Sequence, residues 1–251
     1  MNMNLNFAFT GWDWLLLVAV SLMGTTLAYL HHPKWKALIL SLPIPFTLAS
    51  LSLGRNVDTT NMLGLLFLVI YTNGVRWLYL RLKLPILAAI LLSGGAYAVL
   101  ATSLAPFIPR TESVFWIATV GVFLSALGLL RLMPHRDEPG HRTPLPVWIK
   151  FPLIAGVVLL LVIAKNMLQG FMTMFPMVGL VAAYEARHSL WTICRAIPQF
   201  TLWMAPTLAV IHVLQPHLGL GLALVIGWVV YLALLIPFTA RHWQRIEMPK
   251  E

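Results

Sequence analysis

Long apolar runs, separated by short polar connections, constrain this chain more than any other feature. A membrane-spanning helix needs about 20 apolar residues, with a range of about 17 to 25, and nine runs approach that length. They cover residues 12–30, 37–53, 62–80, 84–105, 114–130, 147–164, 169–184, 190–213 and 218–238. The longest connection, 131–146, is too short for a soluble domain. The sequence predicts an all-α, polytopic integral membrane helix bundle, a single membrane domain over residues 1–251.

The composition favours the same class. Hydrophobic residues make up 59% of the chain and charged residues 10%, whereas soluble domains carry about 25% charged residues. The net charge of +9 lies in short loops between apolar runs, which is how membrane proteins encode their orientation. We therefore predict membrane lipid as a partner and no nucleic acid. Residues 1–10 lack Lys and Arg, so the first run is expected to stay as a membrane helix.

Basic residues in the connections predict the orientation, because cytoplasmic loops carry an excess of Lys and Arg. With the N-terminus outside, eleven lie in cytoplasmic stretches: Lys34, Lys36, Arg81, Lys83, Arg131, Arg136, Arg142, Arg187, Arg241, Arg245 and Lys250. Three lie in outer stretches: Arg55, Arg110 and Lys165. This asymmetry favours nine helices, with the N-terminus outside and the C-terminus cytoplasmic.

The second and seventh runs resemble each other. Residues 41–50 read SLPIPFTLAS and residues 174–183 read MFPMVGLVAA, which aligns Pro43 with Pro176. Each run is the second of a group of four, so residues 12–105 and 147–238 form two halves, with 114–130 as a linker helix. Matching members are five runs apart, an odd offset, which gives the halves opposite orientations, as in many secondary transporters. The alternative is two unrelated proline-containing helices.

The prolines point to a central site. Proline removes a backbone donor, and in hydrocarbon the freed carbonyls need partners in the protein or in a water-filled cavity. Paired, proline-interrupted segments at matching positions therefore indicate a binding site between the halves. The hydroxyls of Ser41, Thr47, Ser50 and Thr173 are candidates to line it, although each could instead bond to its own helix.

Ionisable residues at membrane depth are further candidates. Arg76, with Asn73 one turn earlier, and Arg195 could face inward or reach the headgroups by snorkelling. Glu185 could form a structural ion pair with Arg187 or Arg195, or couple transport to protons; Asp13 is expected to be hydrated. The predicted solute-binding residues are Ser41, Pro43, Pro45, Thr47, Ser50, Asn73, Arg76, Thr173, Pro176, Gly179, Glu185 and Arg195.

Known catalytic and cofactor signatures are absent from the sequence. The eight histidines are scattered and a single cysteine, Cys194, is present, which does not suit a metal centre needing three or four convergent ligands. The sequence contains no phosphate-binding loop, nucleophile elbow or dinucleotide fingerprint. We therefore predict no metal, no cofactor and no catalytic residues.

A stretch of the seventh segment resembles the central part of GlpM-type proteins, a family of small four-helix bacterial membrane proteins. The resemblance rests on Phe175, Pro176, Ala183, Tyr184, Arg187 and Ser189 and covers about a fifth of the chain. It implies a fused, doubled relative with a linker helix, in the bacterial cytoplasmic (inner) membrane. It implies little about function, and the doubled length departs from the family's pattern.

These features favour a multi-pass transporter or channel-like permease for a small solute. The fixed charge at membrane depth is mostly cationic, which favours an anionic solute. The alternative is a non-transporting membrane scaffold subunit of a system that assembles or exports an envelope polymer or lipid. A membrane-embedded enzyme fits least, because the sequence offers no convergent polar cluster.

Overall fold

A computed structural model describes residues 9–136, 138–141, 143 and 146–247, with the backbone alone at 164, 166, 167, 169 and 238–247. The described residues are predominantly helical and include no strand. The α-helices are α1 Gly11–Tyr29, α2 Pro33–Leu40, α3 Ile44–Leu53, α4 Thr59–Leu80, α5 Ile86–Leu104, α6 Glu112–Leu132, α7 Val147–Leu168, α8 Met177–Glu185 and α9 Leu190–Glu247. Short 3-10 helices cover Ala105–Phe107 and Gln169–Met174.

Side-chain caps and one glycine explain where several helices begin or break. At the start of α1, the Thr10 hydroxyl accepts the Asp13 N–H at 3.3 Å, and the Asp13 carboxylate accepts the Thr10 N–H at 2.8 Å. Asp58 and Asn61 form the same reciprocal cap at the start of α4. Both pairs satisfy backbone donors that a helix start leaves free. Gly219, with φ of 74°, kinks α9 into two helices.

Six helical stretches are long and apolar enough to cross a membrane. They are Gly11–Tyr29, Pro33–Leu53, Thr59–Leu80, Ile86–Phe107, Glu112–Leu132 and Leu190–Pro237. Two further apolar stretches, Val147–Ile163 and Gly170–Glu185, are shorter. Large apolar side chains such as Leu91 and Ile117 cover the outside of the bundle, where lipid replaces water as the solvent. The all-helical membrane bundle is thus confirmed, and the count of nine spans stays a prediction.

Contacts between helix termini define two opposite ends of the bundle. The Asp13 end joins the start of α1 to the ends of α3 and α7 through Asp13, Ser52 and Lys165. The Glu185 end joins the end of α8 to the start of α7 through Glu185 and Lys150. One continuous apolar core lies between these two ends.

The two proline-containing segments lie side by side near the middle of this core. α3 packs against the 3-10 helix Gln169–Met174, and α2 packs against α8. The second half of one segment therefore meets the first half of the other, which makes the two segments antiparallel. α4 and α9 both pack against this pair, so residues of the pair are enclosed by the bundle.

Candidate functional site

Both proline-containing segments are interrupted at the proline that the sequence singles out. α2 ends and α3 begins around Pro43, and the 3-10 helix Gln169–Met174 ends and α8 begins around Pro176. Since proline cannot donate a backbone hydrogen bond, each helix restarts beyond it: the Thr47 N–H donates to the Pro43 carbonyl at 3.0 Å, and the Leu180 N–H to the Pro176 carbonyl at 2.8 Å.

A small cavity of about 50 Å³ lies between the two breaks. Five of the predicted site residues line it: Pro43, Pro45, Thr173, Pro176 and Gly179. Its other walls are largely apolar, and the described lining contributes two hydroxyls, those of Thr72 and Thr173. A single water needs roughly 10–15 Å³ of such space, so the cavity has room for a few waters or a very small solute.

Tyrosines from neighbouring helices satisfy carbonyls beside the breaks. The Tyr97 hydroxyl of α5 donates to the Phe171 carbonyl at 2.9 Å. The Tyr231 hydroxyl of α9 donates to the Ser41 carbonyl in the other segment. Both rings are buried. Each hydroxyl therefore donates a hydrogen bond to a carbonyl that the hydrocarbon of a membrane could not satisfy.

A wider vestibule of about 370 Å³ opens at the Asp13 end. Arg55, Asn61, Arg110 and Thr173 are among its lining residues. The Asn61 side-chain amide donates to the Thr173 hydroxyl at 2.8 Å. Because Thr173 lines both the vestibule and the central cavity, the two spaces meet at this residue. The lining carries two arginines and one carboxylate, and Asp58 pairs with Arg110 at 3.3 Å, so the net positive charge of the vestibule comes from Arg55.

A buried ion pair joins α1, α3 and α7 at the Asp13 end. The Lys165 Nζ lies 2.5 Å from the Asp13 carboxylate, whose side chain is 1% exposed. The Ser52 hydroxyl also donates to Asp13, and Lys165 donates to Ser52 Oγ at 3.0 Å. The prediction that Asp13 is hydrated is therefore wrong. Lys165 lies in α7, and its ammonium group binds the Asp13 carboxylate where water was expected.

A second buried ion pair lies at the Glu185 end. The Lys150 Nζ lies 2.9 Å from the Glu185 carboxylate, and both side chains are under 5% exposed. The other Glu185 oxygen accepts the Thr143 N–H at 3.0 Å, and Lys36 donates to the Glu185 backbone carbonyl at 2.8 Å. The structure thus pairs Glu185 with a lysine, whereas the sequence predicted an arginine. The cluster ties α2 and α7 to α8.

A histidine from the connection between α6 and α7 completes this cluster. The His141 carbonyl accepts the Lys36 ammonium at 2.6 Å, and its ring packs edge-on against His188 at 4.5 Å. Burial, and then the neighbouring charges of Arg187, His188 and Lys36, lower the pKa of His141. The neighbouring cations therefore favour the neutral form of the imidazole.

The remaining predicted residues lie away from the central cavity. Thr47 faces α9, where its hydroxyl accepts the Trp228 indole N–H at 2.8 Å, and it lines a separate small space against that helix. Ser50 is buried without a hydrogen-bond partner among the described residues. Asn73 bonds back to its own helix at Val69, and Ser41 does the same at Leu38.

The two predicted arginines both lie at a different place, near the start of α9. The Arg76 guanidinium lies 4.5 Å from the ring centre of Trp191, and the Arg195 Nε donates to the Met133 carbonyl at 2.8 Å. Arg195 lines a separate pocket together with Ser41. Neither arginine lines the central cavity, so the structure does not bring all twelve candidate residues together.

Several residues of the site carry no local sequence signal. Lys150 and Lys165 sit at the two ends of one apolar helix, and their partners are distant in the chain. Tyr97 and Tyr231 occupy corresponding places in the fourth and ninth apolar runs. A comparison of the two halves beyond the proline motif could have singled out the tyrosines.

Comparison with protein-family models, with curated proteins and with solved structures finds no match for this chain. The resemblance of the stretch from Phe175 to Ser189 to GlpM-type proteins therefore stays a prediction. What the cavity and the vestibule can bind is inferred from their own contacts and charges.

Proposed function

We propose that this chain is a permease that moves a small anionic solute across a membrane. The observation that supports it is the pair of proline breaks, which face each other across a cavity in the core. In hydrocarbon, interrupted helices are tolerated where protein or water satisfies their backbone groups. Paired interruptions at one depth are the usual setting of a transporter's central site.

The solute path runs from the vestibule through Thr173 to the central cavity. The net positive charge of the vestibule, contributed by Arg55, attracts anions and raises their local concentration. The Asn61 amide bonds both the Thr173 hydroxyl and the Gly170 carbonyl, at 2.8 and 3.2 Å. Breaking these two hydrogen bonds would free the 3-10 helix to move away from α4 and widen the path.

The opposite end is closed by the Glu185 cluster, which holds α2, α7 and α8 together. Release of the solute on that side requires the Lys150–Glu185 pair to separate while the vestibule narrows. A rocking motion of one half against the other achieves both changes, as in alternating access. Here the Glu185 cluster acts as a gate.

Pairs of equivalent contacts support an inverted repeat of the two halves. Asp13 at the start of the first run accepts a hydrogen bond from Ser52 at the end of the second run, and Lys150 at the start of the sixth run pairs with Glu185 at the end of the seventh. Likewise the fourth-run tyrosine supports the seventh run, and the ninth-run tyrosine supports the second. With nine spans, the Asp13 end faces outside and the Glu185 end faces the cytoplasm. Two four-helix halves with a linker also agree with the GlpM resemblance.

Cysteine accessibility tests the path directly. In a Cys194→Ser background, Thr173→Cys should react with a small, charged, membrane-impermeant thiosulfonate added from the vestibule side of reconstituted vesicles. Thr201→Cys is the matched control, because Thr201 is fully buried in α9 and lines none of the described pockets. It should stay unmodified. Protection of both cysteines from both sides would contradict a path through Thr173.

A membrane scaffold subunit is the alternative, and α6 supplies the observation that favours it. This helix buries Phe115, Val122 and Ala126 and leaves most of its apolar face exposed. Such a lateral face could receive a helix of a partner subunit as well as lipid. If the accessibility experiment finds no path, this alternative becomes the better account.

A further inference from the structure

A second pocket, separate from the proposed solute path, lies at the Glu185 end between α2, α9 and the connection after α6. It has a volume of about 90 Å³ and holds three cationic side chains, Lys34, Arg136 and Arg195. Gln199 adds a side-chain amide that can donate hydrogen bonds. The side toward the helices is apolar, so the pocket combines a cationic rim with an apolar wall.

Two of the cations are fixed in place by groups other than carboxylates. The Arg136 guanidinium stacks on Trp191 at 4.0 Å from the ring centre, and the Trp191 indole N–H donates to the Pro134 carbonyl at 2.9 Å. The Arg195 Nε donates to the Met133 carbonyl at 2.8 Å. Ring stacking and carbonyl bonds hold a guanidinium without neutralising it, so both keep their full charge toward the pocket.

The described carboxylate nearest to the pocket already accepts hydrogen bonds from other groups. Glu138 accepts the backbone N–H groups of Trp191 and Thr192, at 3.3 and 2.6 Å, and the Thr192 hydroxyl at 2.8 Å. It therefore caps the start of α9, and no ion pair joins it to Arg136 or Arg195 among the described residues. Arg76, on the other face of Trp191 at 4.5 Å, adds a further positive charge nearby.

We propose that this pocket binds the phosphate group of an anionic ligand, either a phospholipid headgroup or a soluble phosphate. Guanidinium groups match the geometry of phosphate oxygens and bond them in pairs. Basic pockets between helices at the membrane surface suit anionic headgroups, and the apolar wall formed by Leu38, Ala196 and Leu235 would accommodate the start of an acyl chain. The proposal does not rest on solute transport.

The test measures binding to the purified full chain in detergent micelles by isothermal titration calorimetry. The probes are short-chain phosphatidylglycerol, short-chain phosphatidylcholine and inorganic phosphate. The double variant Arg136→Gln/Arg195→Gln should bind phosphatidylglycerol about tenfold more weakly than the wild type, because it loses charge-assisted hydrogen bonds. The matched control, Arg81→Gln/Arg131→Gln, removes two exposed arginines at helix ends and should bind like the wild type.

The probes distinguish the two sources of phosphate. Binding of phosphatidylglycerol without binding of inorganic phosphate identifies a lipid headgroup, and comparable binding of both identifies a soluble phosphate. Arg136→Lys/Arg195→Lys keeps both charges and should retain part of the affinity, which separates a local loss of contacts from misfolding. Equal affinity of the wild type and the Gln double variant for all three probes would overturn the proposal.

Discussion

At the residue scale, the bundle pairs its two buried carboxylates, those of Asp13 and Glu185, with lysines that are distant in the chain. The Asp13 and Glu185 carboxylates are each joined to a lysine of α7, and each accepts at least one more hydrogen bond. A buried charge left alone would be costly, whereas a fully bonded pair can be close to neutral in energy. The pairs therefore fix the position of α7 against its neighbours more than they add stability.

Lys150→Met tests this view of the Glu185 cluster. The single variant leaves a buried carboxylate uncompensated and should lower the free energy of unfolding by about 3 kcal/mol. Lys150→Met/Glu185→Leu removes both charges and should recover most of that loss. The measurement is a denaturant titration in mixed micelles, with Lys83→Met at an exposed site as the control. Additive losses in the double variant would argue against a direct pair.

At the element scale, the sequence predicted what depends on local chemistry. The helix interruptions at Pro43 and Pro176 were predicted from the backbone donor that proline lacks. Pro152 and Pro198 lie inside continuous helices, so packing around a proline also decides whether the helix breaks there. The partner of Asp13 could not be predicted in this way, because Lys165 lies 152 positions away and only tertiary packing brings it close. For the same reason the sequence did not assign Lys150 to Glu185 or place Thr47 against α9.

The kink in α9 gives a prediction at this scale. Gly219 has φ of 74° and ψ of 163°, a conformation that is essentially restricted to glycine and costs other residues roughly 1–3 kcal/mol. Gly219→Ala should therefore lower the free energy of unfolding by that amount. Gly221→Ala, two residues on and with open space around its Cβ position, should be neutral or slightly stabilising. Equal effects of the two substitutions in the same titration would contradict the assignment of the kink to residue 219.

At the scale of the whole molecule, topology connects the helix count to the proposed mechanism. The proposed nine spans place the N-terminus outside and the C-terminus in the cytoplasm, in line with the excess of Lys and Arg in alternate connections. Reporter fusions at both termini should therefore give opposite signals. A fusion after Arg81, at the end of α4, serves as a further cytoplasmic reference. Both termini on the same side would remove the odd number of spans and the inverted repeat with it.

Solute uptake by reconstituted vesicles tests the central claim most directly. Charge movement is recorded on solid-supported membranes after addition of phosphate, sulfate or acetate, for vesicles with the wild-type chain and for empty vesicles. Thr173→Leu and Gly179→Leu place bulk in the central cavity. Circular dichroism checks that both variants fold, since a Cβ at Gly179 lies 2.9 Å from the Cβ of Pro176. Gly95→Leu adds the same side chain in open space on α5. The account predicts an anion-dependent signal in the wild type and in Gly95→Leu, and its loss in both cavity variants. A wild type that behaves like empty vesicles, or cavity variants that transport as fast as the wild type, would contradict it.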